Sequence, residues 1–257
     1  MDSNFDISKI KWTIGKYGLA EAYYKLKIPS VTGIINDMIP DPGLEDWIRK
    51  VGKEEAEKIM TLAGYRGTAM HCFIEQFINN YAKTKDASDA LRWTQIESPK
   101  ILIKENIPEK KINEGRELFY KFYYSDFSNL YKIIIGTEMG IYSPSFFYRG
   151  KADIFFMARV FGPMVTDFKS SNEYIKKSSI KELKYKYQLG GYSNALEEMY
   201  KDKKLKIKRS SILCINTKND DLQEVISEGK ELEYFKEEFK TLVKNWHIKN
   251  NQGYLIQ

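Results

Sequence analysis

Three consecutive runs decide the fold: "YKIIIGTEMGIYS" (131–143), "FFYRGKADIFFMARV" (146–160) and "GPMVTDFKSS" (162–171). Each is dense in β-branched and aromatic residues. They are separated by "PS" and by a Phe-Gly-Pro turn, so together they read as a three-strand antiparallel meander. Residues two apart in a strand share a face. Asp167 and Lys169 therefore project together in line with Val165, while Thr166 and Phe168 point the other way. Asp153 lies on the neighbouring strand, placed to converge with Asp167.

Downstream, Ser179 and Glu182 form a capping box that opens a helix running to about Tyr200. "KIKRSSILCINTK" (206–218) reads as a further strand and 229–248 as a closing helix. Upstream the pattern is helical. Residues 1–27 carry Trp12, Tyr17, Tyr23 and Tyr24 on a helical pattern, and "IPSVTGIINDMIPDPG" (28–43) interrupts it with prolines. Residues 44–83 read as two or three helices, broken near Gly52 and again at Gly64–Gly67, with Gly67 starting the helix that carries His71. Residues 84–106 read as loop with some helix, and 109–128 as a Phe- and Tyr-rich helix. The expected architecture is α/β: one domain over 1–257, with a helical subregion at 1–130 and an α/β core at 131–257 ordered β-β-β-α-β-α. Trp47 is expected in the core. The aromatics of 119–131 are expected to pack a core, with base stacking as the functional alternative. His247 has no evident partner.

The composition is that of an ordinary globular chain: 257 residues, 42% hydrophobic and 30% charged. No apolar run approaches the roughly 20 residues of a membrane-spanning helix. The N-terminal "MDSNFDISKIKW" has no apolar signal core, so a cytoplasmic location without membrane attachment is expected. Two cysteines, Cys72 and Cys214, are too few for a four-thiolate metal site and are expected to be free thiols. The formal charge is +6, and the segment from Lys176 to Arg209 holds eleven Lys or Arg against four acids. That local excess suggests a polyanionic partner, against the alternative of a solvated helix face.

Two convergent carboxylates make a hard, oxygen-rich site suited to Mg²⁺ or Mn²⁺. A lysine beside them stabilises negative charge on a phosphate. A lone D-x-K is far more often a cross-strand salt bridge at a sheet edge, so the surrounding residues carry the weight. Gly150 precedes Lys151-Ala152-Asp153 and allows close backbone approach. Gln188 and Tyr192, four apart, share a helix face. "RGTAMHCFIE" (66–75) places His71 four residues after Gly67 and Glu75 one turn further.

In this order, G-x-x-x-H, G-x-x-D, D-x-K and Q-x-x-x-Y resemble the PD-(D/E)XK nuclease superfamily in its RecB-like branch. The proline of the family name is Ala152 here, and the middle acid is Asp167. "IPSVTGII" (28–35), "LEDWIRKVGKEEAEKI" and "RGTAMHCFIEQF" look like the mitochondrial genome maintenance exonuclease and its phage and bacterial relatives. The resemblance implies a restriction-endonuclease-like core. It implies metal ligation by His71, Asp153, Asp167 and the Phe168 carbonyl, with Lys169 as catalytic lysine. Gln188 and Tyr192 would orient Lys169 or touch the scissile phosphate, and Ser30 and Thr32 would contact the nucleic-acid backbone. Arg66 and Arg149 flank motif residues and are further expected phosphate contacts. Glu75 and Glu138 are expected behind the ligands. The implied activity is a Mg²⁺- or Mn²⁺-dependent DNA exonuclease that acts on single-stranded or frayed ends and leaves 5′-phosphates. The alternatives are a structure-specific endonuclease or nuclease subunit of a recombination complex, and a catalytically silent nucleic-acid-binding module.

Overall fold

The structure is a computed structural model that describes residues 28–129 and 133–251. The expected aromatic helix of 1–27 lies outside the described residues. Among the described residues five helices come first: α1 (Val31–Met38), α2 (Pro42–Val51), α3 (Lys53–Thr84), α4 (Ala87–Lys104) and α5 (Glu109–Tyr123). Then follow β1 (Ile133–Ser143), β2 (Tyr148–Ala158), β3 (Gly162–Ser171), α6 (Ile180–Met199), β4 (Arg209–Asn216), β5 (Leu222–Glu228) and α7 (Gly229–Lys249). The protein is α/β, with one five-stranded mixed sheet ordered β1-β2-β3-β4-β5. The expected meander is present, β1 to β2 and β2 to β3 antiparallel. α6 carries the chain over to β4, which runs parallel to β3.

Alternation along the strands splits the sheet between two cores. Val165 and Phe155 face a core built with α1, α6 and α7. Met164, Phe168, Ile154, Phe156, Leu213 and Ile215 face a second core built with α3, α4 and α5. The sheet is thus covered on both faces, and α1 packs on the side opposite the other N-terminal helices.

Four expectations are corrected. The predicted break at Gly64–Gly67 is absent: α3 runs unbroken over 32 residues, and Gly67 lies inside it. A helical glycine costs only about 1 kcal/mol relative to Ala, and the apolar stripe Met70, Phe73, Ile74, Phe77, Ile78 holds the helix against the core. The segment 84–106 is mostly helix α4, capped by Asp86, whose carboxylate accepts from the N–H groups of Ser88 and Asp89. Its buried stripe is Ala90, Thr94, Ser98 and Leu102, at helical spacing but largely small or polar, so hydropathy alone hides it. β5 was not expected. It pairs antiparallel with β4 as the second arm of a hairpin. Trp47 is only half-buried, because α2 buries no residue fully.

The Ser179 cap accepts from the Glu182 N–H at 3.2 Å, while the Glu182 carboxylate accepts from Ser178 rather than from Ser179. Both cysteines are free. His247 is buried, with Nε2 3.0 Å from the Phe146 carbonyl oxygen. Among the described residues no helix is long and apolar enough to cross a membrane.

Candidate metal centre

The β2–β3 ladder stops at Ile154↔Thr166. Beyond that point β2 continues paired to β1 as far as Tyr148, and β3 continues paired to β4 as far as Ser171. The two central strands therefore fork, and the first residues past the last pair are Asp153 and Asp167. A fork leaves backbone groups without a ladder partner. Asp153 answers one of them: its Oδ2 accepts the Phe168 N–H at 2.6 Å. In extended backbone the N–H and C=O of one residue project to the same strand edge, so the Phe168 carbonyl also faces the fork.

α3 brings His71 against this point from the second core. Its Nδ1 lies 3.3 Å from Asp153 Oδ2 and 3.5 Å from Glu138 Oε1, and its ring meets Phe168 edge-on at 6.4 Å. His71, Glu138 and Asp153 each offer a ligand atom within 4.8 Å of the others. Glu138 reaches the cluster from β1, where it stands between the pairs Thr137↔Ile154 and Met139↔Ala152. It also ion-pairs with Lys151. Its φ of 47° is left-handed, an uncommon state for a non-glycine residue within a strand.

Asp167 is 2% exposed and turned toward different partners. One oxygen pairs with the Lys169 ammonium, and the other accepts from Gln188 Nε2 at 2.9 Å. Tyr192, one turn beyond Gln188, is buried with its ring against Gly150. A Cβ on Gly150 would lie 2.9 Å from Tyr192 Cε1, so the glycine is required by this packing. The close approach seen at Gly150 is that of the Tyr192 ring.

The charges follow from this geometry. Burial works against a charged His71, yet the Asp153 and Glu138 carboxylates outweigh it and push its pKa up to about 10. Burial raises Asp153, but the His71 and Lys169 charges and the Phe168 N–H hold it below the usual carboxylate range. Burial, followed by the Asp153 charge, pushes Asp167 up to about 7 despite Lys169. Burial opposes charge on Lys169, but Asp167 and Asp153 keep it protonated. Burial and the Glu138 charge likewise raise Glu75. The centre holds several acids around two cations, an arrangement that favours binding a further cation once His71 gives up its proton.

The structure thus gathers His71, Asp153, Phe168, Asp167, Lys169, Gln188 and Tyr192 at one fork. The convergent donor set includes Glu138, expected further back, and does not include Asp167. The expected nucleic-acid contacts are more scattered. Ser30 caps α1, its Oγ accepting from the Gly33 N–H at 3.0 Å and lying 3.5 Å from Thr32 Oγ1. Arg149 ties this cap to β2, donating from Nε to the Ile28 carbonyl at 2.8 Å and from its backbone N–H to Pro29 at 3.0 Å. Arg149 directly precedes Gly150, so the Ser30–Thr32 turn adjoins the Tyr192 side of the fork. Arg66 precedes His71 by five residues, about 140° around the helix at 3.6 residues per turn, so it does not join the cluster.

No protein-family model matches the chain, and the search of curated proteins gives no match.

Proposed function

We propose that the protein is a divalent-metal-dependent deoxyribonuclease that hydrolyses phosphodiester bonds at free single-stranded ends and leaves 5′-phosphates. In this reading the sheet is a restriction-endonuclease-like core of the RecB-like PD-(D/E)XK type, akin to the mitochondrial genome maintenance exonuclease and its phage and bacterial relatives. The supporting observation is the fork between β2 and β3. There Asp153, Glu138 and His71 converge while Asp167 and Lys169 pair directly alongside.

The donor chemistry fits Mg²⁺ or Mn²⁺. Asp153, Glu138 and His71 would hold the ion, with the Phe168 carbonyl and Asp167 at the same fork. The imidazole favours Mn²⁺ relative to an all-oxygen site. Such an ion supplies Lewis-acid charge for a water and for the phosphoryl oxygens. The chain's own residues do the rest. Lys169, protonated and 30% exposed at its side chain, presents positive charge where a phosphate gains negative charge. Asp167 holds that lysine in place, and Gln188 fixes the Asp167 carboxylate by donating to it. The Phe168 N–H fixes Asp153.

The route to the site supports a single-stranded substrate. His71 on α3 and Asp153 in the sheet stand 3.3 Å apart, so helix and sheet close on the fork from the second-core side. A thin strand end suits that gap better than a duplex. The basic segment contributes less than its charge suggests. Lys184, Lys186, Lys203, Lys206 and Arg209 are engaged with carboxylates. Electrostatic tracking of a backbone then falls to Lys176, Lys177, Lys181, Lys201, Lys204 and Lys208.

The test is digestion of end-labelled linear and covalently closed circular single strands with Mn²⁺, Mg²⁺ or EDTA. Hydrolysis of the linear strand alone, and only with metal, is expected. Equal rates on the circle would replace this reading with that of an endonuclease.

A further inference from the structure

Lys181 lies with Gln188 and Tyr192 on one face of α6, which Lys184, paired with Asp41, flanks on the other side of Gln188. At 100° per residue, Lys181, Tyr185, Gln188 and Tyr192 fall within about 60° of one another around the helix. The stripe lies along the active strand in register. Tyr192 meets Gly150, Gln188 meets Asp167, and Lys181 Nζ donates to Ser171 Oγ at 3.1 Å. Ser171, Lys169 and Asp167 alternate onto one face of β3. Lys181 therefore sits two residues beyond Lys169 along that face, about 6.6 Å further at ~3.3 Å per residue. An extended nucleotide covers a step of about that length.

Two observations separate Lys181 from an ordinary surface lysine. It stands in the first turn of α6, where the helix dipole disfavours a cation. It also forms no ion pair among the described residues, whereas Lys184 and Lys186 on the next turn both do. Its charge is directed to the active strand. The Cys214 thiol, beside Lys169 in the β3–β4 register, is pushed up to about 11 by burial, and Lys181 and Lys169 are the two cations that oppose that push.

We infer that Lys181 is a substrate-binding residue, holding the phosphate adjacent to the scissile one on the same nucleic-acid strand. The inference rests on the nuclease reading above. It assigns a second phosphate subsite at the C-terminal end of β3, which makes strands of at least two phosphodiesters better substrates than dinucleotides. Ser171 fixes the ammonium, and Tyr185 fills the stripe between it and Gln188.

The test compares the full-length wild type with Lys181→Ala and Lys181→Arg on a labelled single-stranded 12-mer and on a dinucleotide, with Mn²⁺. On the 12-mer, Lys181→Ala is expected to raise KM about tenfold with a smaller change in kcat. The slope of log KM against log salt should fall by about 0.7, the share of one phosphate on a single strand. Lys181→Arg should recover most of the KM. The ratio of variant to wild-type KM should shrink as the substrate is shortened to the dinucleotide. A wild type that cleaves the 12-mer, with KM and salt slope unchanged in Lys181→Ala, would overturn the inference and leave the nuclease reading standing. An equal KM penalty on dinucleotide and 12-mer would also overturn it, by placing Lys181 at the scissile phosphate itself. A wild type inert on both substrates would overturn the nuclease reading, and this inference with it.

Discussion

Glu138 keeps a left-handed backbone, φ 47°, in the middle of β1 while its carboxylate reaches His71 and Lys151. Such a conformation costs on the order of 1–3 kcal/mol and is retained where a site requires it. Glu138→Gly should therefore leave the metal-free protein about 1 kcal/mol more stable than Glu138→Ala does, since both lose the pairs with His71 and Lys151. It should also abolish the rise in Tm that Mn²⁺ gives the wild type. Thermal unfolding with Mn²⁺ and with EDTA checks both effects. The protonation states make a second prediction. His71 titrates at about 10 and Asp167 at about 7, so ligation at neutral pH must displace protons. Metal affinity should rise with pH toward 10, and calorimetry in buffers of different ionisation enthalpy should detect proton release. Without metal the linkage has the opposite sense. Both groups bind protons more tightly folded than unfolded, so their stabilisation is complete at low pH. It is lost as pH rises, for Asp167 between about 4 and 7 and for His71 between about 6.5 and 10. Asp153, Asp167, Lys169 and Gln188 were legible in the sequence because strand and helix periodicities fix which residues share a face. Glu138 as a convergent donor was not, since a positive φ within a strand breaks the alternation that such reasoning depends on.

α3 shows how an element can be stable and still leave room for a ligand. A Cβ on Gly67 would meet nothing within 4 Å, and Gly67 precedes His71 by one turn on nearly the same face. Space beside the candidate metal centre is therefore open, and packing does not demand glycine there. Gly67→Ala should stabilise the protein by about 0.5–1 kcal/mol through helix propensity. If the substrate strand passes beside His71, the same change should raise KM on single-stranded DNA. Denaturant unfolding and steady-state cleavage on one preparation check the pair. Unchanged kinetics would place the strand elsewhere. The same helix marks a limit of sequence reading. Two glycines spaced three apart signal a break, but the apolar stripe from Met70 to Ile78 overrides them. α4 failed for the converse reason, since its buried face is Ala, Thr, Ser and Leu and the helical period carries almost no hydropathy. Asp86 as a capping residue was the available signal, and Pro99 inside the helix masked its second half.

Across the whole molecule, two cores meet through a sheet that stays closed at the β2–β3 turn and parts at Asp153 and Asp167. The meander, the crossover helix and β4 were legible as a unit because their strands alternate and their turns carry Gly and Pro. The placing of the N-terminal helices was not, since no helical period tells that α1 packs with α6 and α7 while α3, α4 and α5 pack on the opposite face. This architecture brings a helix-borne imidazole and sheet-borne carboxylates to one point, where we propose that phosphodiesters are hydrolysed. The most direct measurement is single-turnover cleavage of an end-labelled single strand with Mn²⁺ by wild type, Asp153→Asn and Lys169→Ala. Metal-dependent hydrolysis at this point predicts a 5′-phosphorylated product from the wild type and a rate lower by about 10²–10³ in Lys169→Ala, with metal binding retained in that variant and lost in Asp153→Asn. Cleavage that persists in EDTA, or at the wild-type rate in Asp153→Asn, would contradict it, as would a wild type that cleaves nothing.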